Sequence, residues 1–431
     1  MKKIGMISLG CDKNTVDTEK ILGRLNSCGY QIVNDPAEAD IIIINTCAFI
    51  ESAKAESIDT IIEMARYKAD NLKKIVVAGC LANRYYDQLK AELTEADIII
   101  KTRDYDRIVE LLEDNDNKAK CSDNTRIITT PYHYAYLKIS EGCDNKCTYC
   151  AIPGIRGSYR SDRIENLTDE AKRLIDTYNI KELILVAQDV TRYGVDIYHK
   201  YALLDLLDEL EKLEIEWIRL MYCYPELVSD ELIDRVAAGG KVVRYLDIPL
   251  QHISNGILKR MNRRNTKEDA YKLLDRIRKK DENISIRSTF ITGFPGETED
   301  EFNELLDFVR YAELDNAGFF AYSREDNTPA YKMKEQLAKR TKQSRTDRLY
   351  AAQTETLLNK YKGYIGREFT VMYEGIDYNR QCFYGRSYMS APGIDSRILF
   401  KGSNLKAPGE FINTRITGNN ELDLVAEIIE D

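Results

Sequence analysis

Over residues 1–125, short apolar runs rich in β-branched side chains alternate with stretches whose apolar positions recur at helical spacing. KKIGMISLG, ADIIIIN and KKIVVAG, followed by ADIIIK at Ala96–Lys101, are apolar on both faces. That is the pattern of buried parallel strands. TVDTEKILGRLNSCG and ESIDTIIEMARYKAD lie between them and read as helices with one apolar face. The alternation predicts a doubly wound α/β domain. Neither G-x-G-x-x-G nor a P-loop word is present, so a nucleotide domain of those types is not indicated.

From 133 the rhythm becomes strand then helix, repeated. The predicted strands are Tyr136–Ile139, Leu183–Gln188, Trp217–Tyr222, Leu246–Leu250, Ile284–Ile291 and Gly318–Tyr322. The helices between them are Leu167–Tyr178, Leu203–Leu213, Asp230–Ala238, Glu268–Lys280 and Glu299–Ala312. Six such units predict a partial (β/α)6 barrel, with functional residues at the carboxyl ends of its strands. Residues 332–362 read as a helical connector that completes this segment, with nine basic against three acidic residues. A solvated helix face explains that charge, and an RNA-binding strip is the alternative. From 364 to 431 the pattern breaks into five short strands, EFTVMYEG, QCFYGRSYM, RILFKG, EFINTRITG and DLVAEII, separated by Gly, Asn and Pro. They predict a small OB-like β-barrel. Its 7 basic and 10 acidic residues favour docking or a protein partner over RNA.

Composition adds constraints. A chain of 431 residues, 43% of them hydrophobic, exceeds one ordinary core. No apolar run is long enough to cross a bilayer, and MKKIGMISLGC lacks the apolar core of a signal peptide. A cytoplasmic protein is expected. In that reducing compartment clustered cysteines point to metal or catalysis rather than disulfides. There are ten cysteines but only three histidines, His133, His199 and His252, so any metal centre must rely on thiolate, which selects zinc or iron–sulfur. The net charge of −9 speaks against a general nucleic-acid binder and suits a basic protein partner.

The first three strands each finish on a cysteine: Cys11, Cys47 and Cys80. Ligands of open parallel sheets bind beyond the carboxyl ends of the strands, so three thiols there can converge on one site. Each taken alone also fits a buried structural cysteine. The stretch KISEGCDNKCTYCAIPGIRG, Lys138–Gly157, adds Cys143-x3-Cys147-x2-Cys150. Zinc sites usually pair two half-sites, and no second C-x-x-C exists here. Three cysteines instead suit an iron–sulfur cube with one iron left open, which S-adenosylmethionine can chelate through its amino and carboxylate groups. A structural zinc is the alternative. Gly142, Asp144 and Asn145 favour a loop over a helix at this point. Candidate cofactor or substrate contacts are Gln188 and Asp189 after the second barrel strand, Gln251 and His252 after the fourth, and Arg287 on the fifth. The turn GFPGE follows, with Gly293, Pro295, Gly296 and Glu297. A plain turn and a local carboxylate partner for Arg287 are the alternatives. His252 is assigned polar contact only, and no catalytic residue beyond the cluster ligands is expected.

With these words in place, the whole chain resembles the radical S-adenosylmethionine methylthiotransferases. SLGCDKNTVDTE, NTCAFIESAKAESIDTI, YLDIPLQHISNGILKRMNRR and GRSYMSAPGIDS are similar to the subfamily that modifies an aspartate β-carbon in the twelfth small-subunit ribosomal protein. The tRNA-adenosine subfamily, with GCQMN and PVQSGS in the corresponding places, is the alternative, as is a non-catalytic iron–sulfur sensor that binds RNA through its C-terminal barrel. The resemblance implies an N-terminal methylthiotransferase domain (1–125), a radical-SAM partial barrel with its connector (133–362) and a TRAM barrel (364–431). It implies two 4Fe–4S clusters. The one on Cys143, Cys147 and Cys150 would cleave S-adenosylmethionine to a radical. The other, on Cys11, Cys47 and Cys80, would carry the inserted sulfur, and a second S-adenosylmethionine would give the methyl group. An external electron donor and a sulfur source are implied partners. One departure is KTRDYD, where Thr102 and Arg103 replace the family's Gly-containing word. Cys28, Cys121, Cys223 and Cys382 match no ligand position and read as structural.

Overall fold

The computed structural model describes residues 2–113, 125–402 and 407–429; Cys121 lies outside them. Two compact units are formed. One comprises Met1–Pro131, Ser140–Arg160 and Ser323–Tyr331, the other Tyr132–Ile139, Ser161–Tyr322 and Lys332–Asp431. The cysteine loop that follows the first barrel strand thus belongs to the same unit as the N-terminal domain.

The first unit is built on a five-stranded parallel sheet ordered Gln31–Val33, Lys3–Ser8, Ile41–Thr46, Lys74–Gly79 and Ile98–Ile99. The isoleucine run explains why the sheet is covered on both faces. Ile42 and Ile44 enter one apolar cluster with Ile75 and Val77, while Ile41 and Ile43 enter another with Val76 and Ala78. Successive side chains of a strand point to opposite faces, and each fully buried isoleucine contributes about 1.5–3 kcal/mol. The edge strand Gln31–Val33 is absent from the sequence prediction, because three residues cannot show a period. The helices Asp12–Ser27 and Glu51–Ala65 begin earlier than the apolar pattern does. Their polar first turns carry Asp12 and Glu51, where an acidic side chain meets the helix dipole favourably.

The second unit holds a six-stranded, all-parallel sheet ordered Asn316–Ala321, Ser285–Thr292, Val242–Asp247, Trp217–Leu220, Glu182–Val186 and Tyr134–Lys138. The fourth strand lies upstream of the predicted Leu246–Leu250. Pro249 has no N–H to give to a ladder, and the strand ends before it. Helices Asp230–Ala238 and Glu299–Ala312 match the prediction residue for residue. The connector is helical only over Lys339–Lys362. Several of its cations are engaged within the chain: Arg345 with Glu297 and Glu299, Arg348 with Glu299, and Lys360 with Asp315.

A closed five-stranded barrel follows, ordered Glu368–Asp377, Cys382–Arg386, Ile398–Lys401, Asp423–Ile428 and Phe411–Asn420. A buried ion network joins it to the parallel sheet. Glu182, with no exposed surface, lies 2.6 Å from Arg219 and 2.7 Å from Arg386; Arg386 also reaches Glu374 at 2.7 Å, and Glu374 meets His133 at 3.1 Å. The word SYMSAP, Ser387–Pro392, runs beneath the sheet. The carbonyl of Tyr388 accepts from Arg219, and that of Met389 accepts from Ser285 and Asn316. Ala391 packs with Ile184, Val186, Met221, Val243 and Tyr245. Through Ala391 this stretch joins the apolar core on one face of the six-stranded sheet.

Candidate functional site

Cys11, Cys47 and Cys80 stand at the carboxyl edge of the first sheet, as their strands require. Each follows a different strand, so the fold alone brings them together. Gly10 shows how tight the approach is. It has φ +96°, and a Cβ added there would stand 2.8 Å from Cys47 Cβ and 3.0 Å from its Sγ. Only glycine lets the Cys11 loop pass over Cys47. Ser57, fully buried, fastens the Cys47 loop by accepting from Cys47 N at 3.1 Å and donating to Cys47 O at 2.9 Å. Cys47 and Cys80 are buried and Cys11 is exposed.

Asn14 ties the three loops to one another, and nothing in the sequence singled it out. Its side-chain amide donates to Leu9 O at 2.8 Å and Thr46 O at 3.1 Å. Cys80 Sγ lies 3.7 Å from Asn14 Oδ1. Burial pushes the Cys80 thiol up to about 12; Arg156 opposes the shift, while Cys11 and Cys47 add to it. Burial likewise raises Cys47, with Cys11 contributing. Metal ligation needs thiolate, so a bound cation would have to offset the burial that raises Cys47 and Cys80. This soft, converging donor set fits an iron–sulfur centre.

The second set lies in a loop, as Gly142 and Asp144 predicted. Cys143 N donates to Gly157 O at 3.1 Å and Cys150 N to Cys147 O at 3.1 Å. Asp144 caps the returning strand, accepting from Tyr159 N at 3.1 Å. Cys143 and Cys147 are buried and Cys150 half-buried. Three thiols carried on eight residues of one loop fit a cluster wrapped by that loop. The short helix Ile152–Arg156 follows and is held to the N-terminal domain. Asn83 donates to Ile155 O at 2.6 Å, and Arg156 reaches Asp17 at 2.6 Å, Glu141 at 3.0 Å and Asn14 Oδ1. Thr102 also bonds Asn83, through N–H at 2.8 Å and Oγ1 at 2.6 Å. The departing word KTRDYD thus begins a 3-10 turn, Thr102–Arg107, anchored on the same asparagine.

The predicted barrel contacts divide into groups. His252 and Glu297, both fully buried as side chains, meet at 3.3 Å. Ser254 N donates to His252 Nδ1 at 3.0 Å, so Nε2 carries the hydrogen toward Glu297. Glu297 also accepts from Thr292 and from Gly293 N, and pairs with Arg345 at 3.1 Å. These bonds pin GFPGE. A Cβ on Gly293, φ +72°, would stand 2.5 Å from Lys342, so its glycine is required by the connector helix. Gly296 N donates to Glu335 O at 3.0 Å, and Pro295 lies within the same turn. Arg287 bonds Asp247 at 3.1 Å and Asp395 at 3.2 Å. Asp189 accepts from Thr191 at 2.6 Å and from Arg192 N at 3.2 Å. Gln188 lies beside it in the loop, after the strand ends at Val186. Gln251, with φ 69°, bridges to the strand of Phe290. Of the remaining cysteines, Cys223 is buried and Cys382 half-buried. Cys28 is disulfide-bonded, a pairing the sequence reading did not anticipate.

Three family models match in succession: uncharacterized protein family UPF0004 over residues 3–101, the radical SAM superfamily over 137–309, and the TRAM domain over 365–429. The fold is shared with the radical S-adenosylmethionine methyltransferase TsrM from Kitasatospora setae, solved with cobalamin and a [4Fe-4S] cluster; the TM-score is 0.53 at 16% identity, covering 77% of each chain. Sheet, cysteine loop and domain order together define a radical S-adenosylmethionine enzyme. The ribosomal protein uS12 methylthiotransferase RimO of Clostridium kluyveri is 48% identical over 100% of this chain and 98% of its own length. Those of Acetivibrio thermocellus and Clostridium acetobutylicum are 45% and 46% identical over 100% of this chain, covering 99% and 98% of their own lengths. The chain belongs to the RimO family of methylthiotransferases. No helix among the described residues is long and apolar enough to cross a membrane.

Proposed function

We propose that this enzyme adds a methylthio group to the β-carbon of an aspartate in ribosomal protein uS12. Cys143, Cys147 and Cys150 would hold one 4Fe–4S cluster, and Cys11, Cys47 and Cys80 a second. The observation that carries the assignment is that three cysteines follow three adjacent parallel strands and that Asn14 bonds the carbonyls of Leu9 and Thr46, ahead of Cys11 and Cys47, and meets Cys80 Sγ, in the same unit as a loop bearing three more. When bound, the loop cluster supplies reductive cleavage of S-adenosylmethionine and the other supplies the sulfur. The chain's own part is to bind, orient and exclude water, since the cofactors carry the hard chemistry.

His252 is bonded on both ring nitrogens, which supports polar positioning rather than proton transfer. The GFPGE turn and Gln188, Asp189 and Gln251 lie after the strands, where a barrel binds its ligands. We assign S-adenosylmethionine to that end. The acidic TRAM barrel favours a basic ribosomal protein as the docking partner, and the internal ion pairs of the connector argue against an RNA strip there. The enzyme would act in the cytoplasm and draw on an external electron donor and a sulfur source. The test is product mass under strict anaerobiosis. Reconstituted enzyme with S-adenosylmethionine, sulfide and reductant should add one methylthio group to an aspartate of uS12 and leave unmodified tRNA unchanged. The same gain on a tRNA adenosine would overturn the substrate assignment.

A further inference from the structure

We propose that Arg156 and Asn14 are a positioning pair that locks the Cys143–Cys150 loop against the Cys11, Cys47 and Cys80 site and so fixes the separation of the two metal centres. The inference rests on the two-cluster assignment above. Arg156 ends the short helix directly after the cysteine loop and is 4% exposed. A buried guanidinium is costly unless fully paired, and a packing role alone would be met by an apolar side chain. What arginine adds is a rigid fork that bonds several acceptors in fixed directions. Those acceptors lie on two different elements. Asp17 and Asn14 belong to the helix that starts directly after Cys11, and Glu141 precedes Cys143.

Asn14, with no exposed surface, passes the constraint on. Its Nδ2 holds the carbonyls of Leu9 and Thr46, just before Cys11 and Cys47, and its Oδ1 faces both Arg156 and Cys80. The Arg156–Asn14 contact therefore connects the cysteine loop to Cys80 and to the backbone that leads into Cys11 and Cys47. The bond from Asn83 to Ile155 O holds the same short helix independently, so losing the fork should loosen the loop without releasing it.

The test compares the full-length protein with Arg156→Met and Arg156→Lys after anaerobic reconstitution. Iron and sulfide per chain, the magnetic interaction between the two reduced clusters by electron paramagnetic resonance, and the ratio of deoxyadenosine to methylthiolated uS12 are measured. Arg156→Met should keep iron for two clusters, weaken their magnetic interaction and raise the ratio by about tenfold to a hundredfold, the usual penalty for ångström-scale misplacement. Arg156→Lys keeps the charge but not the fork and should fall between. If Arg156→Met fails to hold its iron, Arg156→Lys decides. A lysine variant with unchanged interaction and ratio overturns the proposal, as does an unchanged methionine variant. Wild-type protein with iron for one cluster only would instead overturn the two-cluster assignment.

Discussion

The two cysteine sets solve the same problem in opposite ways. Cys143, Cys147 and Cys150 share one loop, and their spacing is written into eight consecutive residues. Cys11, Cys47 and Cys80 are separated by whole βα units and meet only because three strands are parallel and adjacent. The first set can be recognised before any fold is known. The second depends on sheet order, on Gly10 giving way to Cys47, and on Ser57 and Asn14 holding the loops. A local site should tolerate changes elsewhere in the fold, while a distributed site should fail when a distant support is lost.

The largest test separates the sets outright. Alanine at Cys143, Cys147 or Cys150 should reduce deoxyadenosine formation to background. Alanine at Cys11, Cys47 or Cys80 should leave it measurable while methylthiolated product disappears. Product formation by the second group of variants would break the comparison.

A smaller effect probes another distributed assembly. Glu182→Ala leaves Arg219 and Arg386 facing each other without their shared carboxylate, and should cost about 3–5 kcal/mol, read by denaturant unfolding of the apo-protein. Burial opposes the charged form of Glu182, but Arg219 and Arg386 outweigh it, so the carboxyl is held below the usual range. Its stabilisation is present above the unfolded-state pKa and lost as pH falls through the folded one. Glu182→Gln should therefore unfold with a shallower dependence on pH at the acid end. Smaller again, Ser57→Ala leaves the buried N–H of Cys47 without its partner and should cost about 1–3 kcal/mol; iron retention should fall only at the strand-end site. Thr298→Ala removes one half of the capping box with Glu301 and should cost about 1 kcal/mol, leaving both iron sites as they were.

The same division governs what the sequence made legible. Periodicity sufficed for helices such as Asp230–Ala238, whose apolar face repeats over several turns. It displaced the fourth barrel strand, because LDIPL is as apolar as VVRYL and only Pro249 marks the end. The cysteines could be picked out by type and by their place after strands. Asn14 and Arg156 could not, since an asparagine near a helix start and an arginine after IPGI are ordinary in isolation; their role arises from a meeting of residues 142 positions apart. His252, Arg287 and Glu297 stand near strand ends and are also paired within the chain: His252 with Glu297, Arg287 with Asp247 and Asp395, and Glu297 with Arg345. Polar residues at such ends serve both a pocket and the scaffold under it, and sequence does not separate the two.

The segment Ser387–Pro392 has a consequence for how such a protein could be taken apart or recombined. Family boundaries invite a cut near residue 364, as though the last barrel were a cassette to be exchanged. Its strand-to-strand link instead supplies acceptors for Arg219, Ser285 and Asn316, and its Arg386 and Asp395 neutralise charges that the parallel sheet buries. A graft from another family would have to bring the same hydrogen bonds and the same two charges, or leave the catalytic scaffold with holes in its floor.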